Sequence, residues 1–415
     1  MAVPHASALP IAGNVGGSGH DGPMTSTQGT RTAELPTGGV LGVFAHPDDE
    51  TLGAGGLLAS AARVGLHVTV VTGNRGERGQ VIPRELAHLH GDAPALVHER
   101  ERELARACAE LGVRAHLFLD QLPGLSARRP PRITDSGMVW VRPGLAGPVP
   151  DAGPDAQSTV PVEVAARLLA GLVRRTRPQV VITEEPHGGY GHPDHVHAHQ
   201  VTMRGVEMAA DAGEVDDADD PLTGLEPWHV PVVVWAVESE IRMRAALHWL
   251  EEKLARAPQF GVRGDALATL PAGSDLPSLA FPASKVDLTI DTTAVLSAVV
   301  AAMRAYRTQL QNVHLEDLSR TAQRDQPACG WVAVSNGLLL PIMGSASMHV
   351  APGFDRMDDL VVEPVHHAYT EQVPVAERYG LAGTFGLAAL DVKNRLADTR
   401  GPARLAAFLG GTVLA

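Results

Sequence analysis

From residue 39 onward, short apolar runs alternate with segments whose apolar residues recur every three or four positions. "GVLGVFA" (39–45), "HVTVVTG" (67–73), "HLFL" (116–119), "QVVIT" (179–183) and "VPVVVWAV" (230–237) read as strands. Between them, "TLGAGGLLASAARVG" (51–65), "LVHERERELARACAELGV" (96–113), "PVEVAARLLAGLVRRTRP" (161–178) and "HPDHVHAHQVTMRGVEMAADA" (192–212) read as helices, the first ending at Gly65. This alternation predicts an α/β, Rossmann-like fold, with a mostly parallel sheet, right-handed crossovers and helices on both faces. Ligands in such sheets bind outside the carboxyl ends of the strands, so the active site is expected there.

Elsewhere the pattern is weaker. Residues 121–160 are rich in Pro, Gly and Arg and predict a long loop or lid, and 258–284 read as a second loop. "KVDLTI" (285–290) and "TTAVLSAVVAAMRAYRTQL" (292–310) read as a strand and a long helix, and a further helix is expected near 384–397. The expected organisation is a disordered tail over 1–38, one catalytic domain over 39–352 and a carboxyl-terminal extension over 353–415.

Composition narrows the class. The chain has 415 residues, 44% hydrophobic and 20% charged, as in globular proteins, and no apolar run approaches the roughly 20 residues of a membrane-spanning helix. The amino terminus lacks the basic start and apolar stretch of a secretory signal. Cys108 and Cys329 cannot form a disulfide framework or a Cys-x-x-Cys metal site, which fits a reducing cytoplasm. A net charge of −13 argues against nucleic-acid binding, and the acid run "DAGEVDDADD" (211–220) reads as a solvated loop.

Two segments carry the candidate chemistry. "AHPDDE" (45–50) crowds Asp48, Asp49 and Glu50 at the end of the first strand, where mutually repelling carboxylates need a compensating cation. "GGYGHPDH" (188–195) follows "QVVIT" at an equivalent place in the sheet. A catalytic zinc site takes three His or Asp/Glu ligands and leaves one position open, and His46, Asp49 and His195 supply that set. Asp48 is then the general base for a water attacking a carbonyl. His192 is expected to stabilise the oxyanion and protonate the leaving amine, Asp194 to hold its imidazole charged, and Tyr190 to donate to the same oxyanion. The glycines of the second segment are read as allowing close backbone approach to a substrate. His199 shares the i, i+4 spacing with His195 and stays open as a ligand, whereas His197 reads as a surface residue. "GAGG" (53–56) lacks the third glycine of a dinucleotide loop and reads as close helix packing.

These two segments together resemble the LmbE-like or PIG-L family of zinc-dependent N-deacetylases, which act on N-acetylglucosaminyl groups. "VVTGNRGERGQVI" (70–82), "DSGM" (135–138), "RPQVVIT" (177–183) and "SNGLLLPI" (335–342) extend the resemblance over about residues 39–352. It implies one Zn2+ per subunit on His46, Asp49 and His195, Asp48 as base, and His192 and Tyr190 at the transition state. It further implies Arg100 and Asp135 as sugar-hydroxyl contacts, although Arg100 in "HERERE" reads from sequence alone as solvated. Gln309 follows from the likeness of "YRTQ" (306–309) to a helix-borne Thr-Gln element of the family. The implied substrate is a small N-acetylated glycoside, nearest to the N-acetylglucosaminyl-inositol of mycothiol biosynthesis. Within the family the alternatives are an amidase of mycothiol conjugates, which carries a lysine where this chain has Gly53, and a deacetylase of a glycosylated secondary metabolite. Two His and one Asp also suit ferrous iron. A phospho-receiver-like module built on the paired acids, Asp120 and Lys285 is the remote alternative; it leaves "GYGHPDH" without a role.

Overall fold

The computed structural model describes residues 35, 37–122, 132–142, 144–213, 215, 217–256, 267–319, 326–334, 337–361, 396–397 and 399–414. The chain divides into two units, Met1–Glu34 and Leu35–Ala415, and every described residue lies in the second.

Five parallel strands form the centre of the main sheet: β1 (Val40–Phe44), β2 (Val68–Thr72), β3 (Ala115–Phe118), β6 (Val180–Thr183) and β7 (Val232–Ser239). The intervening β4 (Met138–Arg142) and β5 (Leu145–Pro148) form a separate antiparallel hairpin inside the segment expected to be a loop. Spatially the centre runs β7-β6-β1-β2-β3. The chain leaves β1 towards β2 and β3, then crosses back to β6 on the other side. Strand order therefore reverses at β1, creating a crevice beyond the carboxyl ends of β1 and β6.

Alternation along the strands divides the core. Val40, Phe44, Val68, Val70, Val180, Ile182, Val232 and Val234 face one side, where α1 (Asp49–Arg63), α2 (Ala93–Leu111) and α7 (Leu296–Ala305) supply Leu57, Leu104 and Val299. Leu41, Val43, Val71, Val181 and Val233 face the other side, against Leu168 and Leu169 of α3 (Val162–Thr176) and Val201 of α5 (Pro193–Ala210). Period-two side chains on β-branched strands, buried on both faces, account for the continuous apolar runs in the sequence. The predicted tight packing of "GAGG" holds at two positions, since a Cβ on Gly55 would lie 3.4 Å from Val299 and one on Gly56 3.0 Å from Thr292, whereas Gly53 faces open space.

Beyond β7 the sheet becomes antiparallel. β8 (Ala268–Thr269) and the short β9 (Ala280–Phe281) lie in the second expected loop; β9 pairs with the end of β7. β10 (Leu288–Asp291) and β14 (Ser345–Asp355) extend the main sheet antiparallel on its β7 side. A second sheet runs β11 (Gln311–Leu315), β12 (Gly330–Ala333), β13 (Leu338–Ile342), β8, and packs Trp331 and Leu339 against Trp249 of α6 (Glu240–Arg256). From the carboxyl-terminal extension, α8 (Gly401–Phe408) buries Leu405 and Phe408 in the first core, and β15 (Thr412–Val413) pairs with β10. The helix expected near 384–397 lies outside the described residues except for 396–397.

The long helix predicted over 292–310 is corrected to the ten residues of α7. The chain leaves helical geometry at Tyr306 (φ −83°, ψ 61°), and Glu103 of α2 accepts hydrogen bonds from the Thr308 backbone N–H (2.8 Å) and hydroxyl (2.6 Å). These tertiary bonds to a buried carboxylate override the local helical pattern.

Candidate active site

Both His-Pro-Asp segments reach the crevice beside the strand reversal. His46 lies two residues past β1, and Asp49 opens α1. His195 sits in the first turn of α5, after β6 and the distorted turn α4 (Gly188–Gly191). His46 Nδ1 stands 3.2 Å from Asp49 Oδ2 and 3.2 Å from His195 Nε2, and the third edge, His195 Nε2 to Asp49 Oδ2, is 3.3 Å. Ligand atoms about 2.05 Å from a tetrahedral zinc ion are separated by about 3.3 Å, so the triangle fits such an ion. Wider groupings, His46 with His192 and His195, and Asp49 with Glu184 and His195, have ligand atoms within 4.8 Å of one another and share these residues.

A carboxylate lies behind each imidazole of the triangle. The Asp194 Oδ2 atom is 3.2 Å from His46 Nε2, and Glu184 Oε1 is 3.4 Å from His195 Nδ1. Such partners fix ring orientation and strengthen a histidine as a ligand. Electrostatics follow the same geometry. Burial opposes a charge on His46, but hydrogen bonds to Asp194 and Asp49 outweigh it and raise its pKa well above the usual value. At His195 burial is likewise overcome, by the charges of Asp49 and Glu184, and its pKa rises to about 9. Burial alone would raise Asp49, yet His195 and His46 hold it well below the carboxylate range. Negative charge concentrated this way would be offset by a cation between these three atoms.

Asp48 has a different environment. It is the N-cap of α1 at φ +122°, a conformation disfavoured for any side chain. Its backbone N–H donates to Glu50 Oε2 (3.1 Å), and Glu50 in turn accepts from Thr51 and from the Tyr306 hydroxyl (2.6 Å). The third acid of the motif thus secures the turn that separates the other two. Burial pushes the Asp48 carboxyl up to about 8, with Arg100 opposing and Asp49 adding to the rise.

Several expectations are corrected. Asp194 does not hold His192 charged: its carboxylate accepts from the Asn74 side chain (3.0 Å), the Ser136 N–H (3.0 Å) and the Ser136 hydroxyl as well as meeting His46. Its backbone N–H donates to His192 Nδ1 (3.1 Å), a bond to a neutral ring, and burial together with His46 and His195 pushes His192 down to about 2. His197 is buried rather than on the surface, with Nε2 2.8 Å from the Val160 carbonyl. His199 stays out of the triangle, its Nδ1 2.9 Å from the Glu184 carbonyl and its ring against Trp235. The glycines bring the chain close to itself: a Cβ on Gly188 would lie 2.9 Å from Val196 N, and one on Gly191 2.7 Å from the Ala146 carbonyl.

Tyr190 stands over the site with its ring 5.2 Å from that of His195 and 6.0 Å from that of His192. Arg100 is buried rather than solvated; it donates to the Gly76 and Pro47 carbonyls, approaches Asp48 at 3.4 Å, and leaves its buried Nε without a partner. Asp135 accepts from the Gly137 and Arg78 N–H groups and places Oδ1 3.8 Å from His46 Nε2. Gln309 lies past the end of α7, not on a helix, and donates to the Gln80 carbonyl. Asp120 is engaged by both terminal nitrogens of Arg75, which leaves the phospho-receiver reading without its third carboxylate.

A family model described as GlcNAc-PI de-N-acetylase, PIG-L, matches residues 41–206, which include both His-Pro-Asp segments. Among curated relatives, a 1D-myo-inositol 2-acetamido-2-deoxy-alpha-D-glucopyranoside deacetylase of Kineococcus radiotolerans is 43% identical over 272 residues, 65% of this chain and 68% of the relative. The chain belongs to the PIG-L family. Further relatives of the same description are found in Kribbella flavida, 36% identical over 67% of this chain and 85% of the relative, and Streptomyces avermitilis, 37% identical over 74% and 90%. Among residues of the site that sequence reasoning missed, Glu184 is the first after β6, a position that the carboxyl-end rule marks out. Trp140, stacked on Tyr190, had no sequence signal of its own.

Proposed function

We propose that this chain hydrolyses the acetamide of an N-acetylglucosaminyl glycoside, in the first instance 1D-myo-inositol 2-acetamido-2-deoxy-alpha-D-glucopyranoside, releasing acetate and the free amine. The observation that carries this reading is the 3.2–3.3 Å triangle of His46, Asp49 and His195, with the Asp48 carboxylate on the adjacent residue held apart from it. The names of the relatives supply the substrate class. Zinc held by the triangle would act as a Lewis acid towards the amide carbonyl and the attacking water.

The chain's own groups handle protons and orientation. Asp48 takes a proton from the attacking water and returns it to the departing amine nitrogen, a role expected of His192 from the sequence but not open to its neutral ring. With Nδ1 of His192 occupied by the Asp194 N–H, the ring proton lies on Nε2, which donates to the developing oxyanion; the Tyr190 hydroxyl is the second donor. Arg100 steadies the Asp48 carboxylate and, with Asp135 and Gln309, meets sugar hydroxyls. A cytoplasmic setting belongs to the same reading and fits the two free, buried cysteines; no helix among the described residues is long and apolar enough to cross a membrane.

The test is release of the free amine by purified protein of defined zinc content, offered N-acetylglucosaminyl-inositol or a mycothiol conjugate. Zinc-dependent turnover of the former, lost in Asp48→Ala, is the expected result. Preferential cleavage of the conjugate would assign the chain to the amidases instead, and binding of metal with neither substrate consumed would overturn the substrate assignment.

A further inference from the structure

The β4–β5 hairpin presents an unusual surface. Val139, Trp140 and Val141 are consecutive, apolar and 44%, 43% and 64% exposed, and solvent-exposed apolar runs of this kind mark binding surfaces. Trp140 is the residue of the three that connects to the reaction centre. Its ring stacks on Tyr190 with centroids 5.7 Å apart and planes 29° from parallel, and the Tyr190 ring lies 5.2 Å from that of the triangle residue His195.

Backbone packing sets the position of the hairpin. Gly191 takes φ +91°, and a Cβ there would lie 2.7 Å from the Ala146 carbonyl on β5, so the hairpin backbone rests directly on the turn that carries Tyr190. Trp140 is thereby held about one ring beyond Tyr190 on the outward side of the site.

We infer that Trp140 forms a stacking subsite for the second ring of the substrate, a cyclitol joined to the N-acetylglucosaminyl group; the inference rests on the function proposed above. A six-membered ring with mostly equatorial hydroxyls displays axial C–H bonds on its faces. Those faces are apolar and carry slight positive charge, which complements the negative face of an indole. With the acetamide at the triangle, the glycosidic oxygen sits on the ring carbon next to the one bearing it, so the second ring lies beside the reaction centre, within reach of the exposed part of Trp140. The platform therefore selects for substrates with a second ring and contributes little to those without one.

The experiment compares N-acetylglucosaminyl-inositol with methyl N-acetylglucosaminide, which keeps the acetamide and first ring and stops where the second begins. In Trp140→Ala the ratio of kcat/KM for the disaccharide to that for the methyl glycoside falls about tenfold, carried by KM, while Trp140→Phe keeps most of the ratio. Calorimetric Kd for the deacetylated disaccharide weakens in parallel, a readout independent of turnover. Equal losses on both substrates would show that Trp140 only props Tyr190, and an unchanged ratio would show that the second ring lies elsewhere; either overturns the subsite while leaving the deacetylase reading intact. A wild-type protein inert on both glycosides would overturn that reading and the subsite together, and one that prefers the methyl glycoside would overturn the cyclitol subsite alone.

Discussion

The tripeptide His-Pro-Asp occurs twice in the site, and the two copies do opposite things. In the first, α1 begins at Asp49, three residues after His46; Pro47 lies outside the helix, and Asp48 takes the strained N-cap conformation. In the second, α5 begins at Pro193, one residue after His192, so His192 is itself the N-cap and Asp194 is turned into the core. Pro suits the first helical position and His192 offers Nδ1 to the free N–H of Asp194, so the second segment is relaxed where the first is strained. The shared feature is the residue three after each histidine, Asp49 or His195, which enters the triangle. His46 joins it and His192 does not. The helix start, rather than the letters, assigns the roles.

The largest expected effect separates the two histidines. In His46→Ala and His195→Ala, bound zinc falls from one per chain to none and activity falls to background, as measured by metal analysis after gel filtration. In His192→Ala the metal stays and kcat falls by about 10²–10³, the usual cost of losing an oxyanion donor. Zinc loss in His192→Ala as complete as in His195→Ala would place His192 among the ligands and end the contrast.

The two aspartates differ next. Asp48→Asn should keep its metal and KM while kcat drops by about 10²–10⁴, as for a removed general base. Asp194→Asn should instead weaken metal binding by about 10–100-fold, because the carboxylate behind His46 is lost, and recover activity in excess zinc. A competition titration against a chelator distinguishes them; a metal affinity unchanged in Asp194→Asn would reduce that residue to a structural acid.

The contrast also shows how far the sequence could be read. β1, β2, β6 and β7 were legible because mostly buried strands are written as runs dominated by Val, Leu and Ile between turn signals, and the loops after β1 and β6 carry residues that a core would not tolerate. That His46, Asp49 and His195 would meet followed from residue type and position at the strand ends. What a side chain faces after the helix has begun did not follow, since it depends on helix rotation against a tertiary neighbour. Asp194 turns to His46, 148 residues away, and His197 is buried by the Val160 carbonyl. The second sheet was missed for another reason. Its strands are only two to five residues long, β11 (QNVHL) mixes Gln, Asn and His with apolar residues, and the sheet is held by packing on α6.

The smallest effect tests the strain itself. A residue at φ +122° costs about 1–3 kcal/mol unless it is glycine, so Asp48→Gly should raise the unfolding free energy by about 1 kcal/mol in urea titrations of metal-free protein while abolishing activity. The ion pair lost with Arg100 does not reverse the sign. Burial already raises Asp48 to about 8 despite Arg100, so desolvation of the carboxylate exceeds that attraction, and Arg100 keeps its bonds to Gly76 and Pro47. Asp194→Ala is the counterpart: its carboxylate meets His46, Asn74 and Ser136 without backbone strain, and its removal should lower stability by about 2–3 kcal/mol. If Asp48→Gly destabilised the protein as much as Asp194→Ala, the Asp48 side chain would be building the turn. A gain in stability at the expense of catalysis would mean that the helix start imposes the conformation on Asp48, and that the fold carries strain there to keep the carboxylate beside the metal site but outside the ligand triangle.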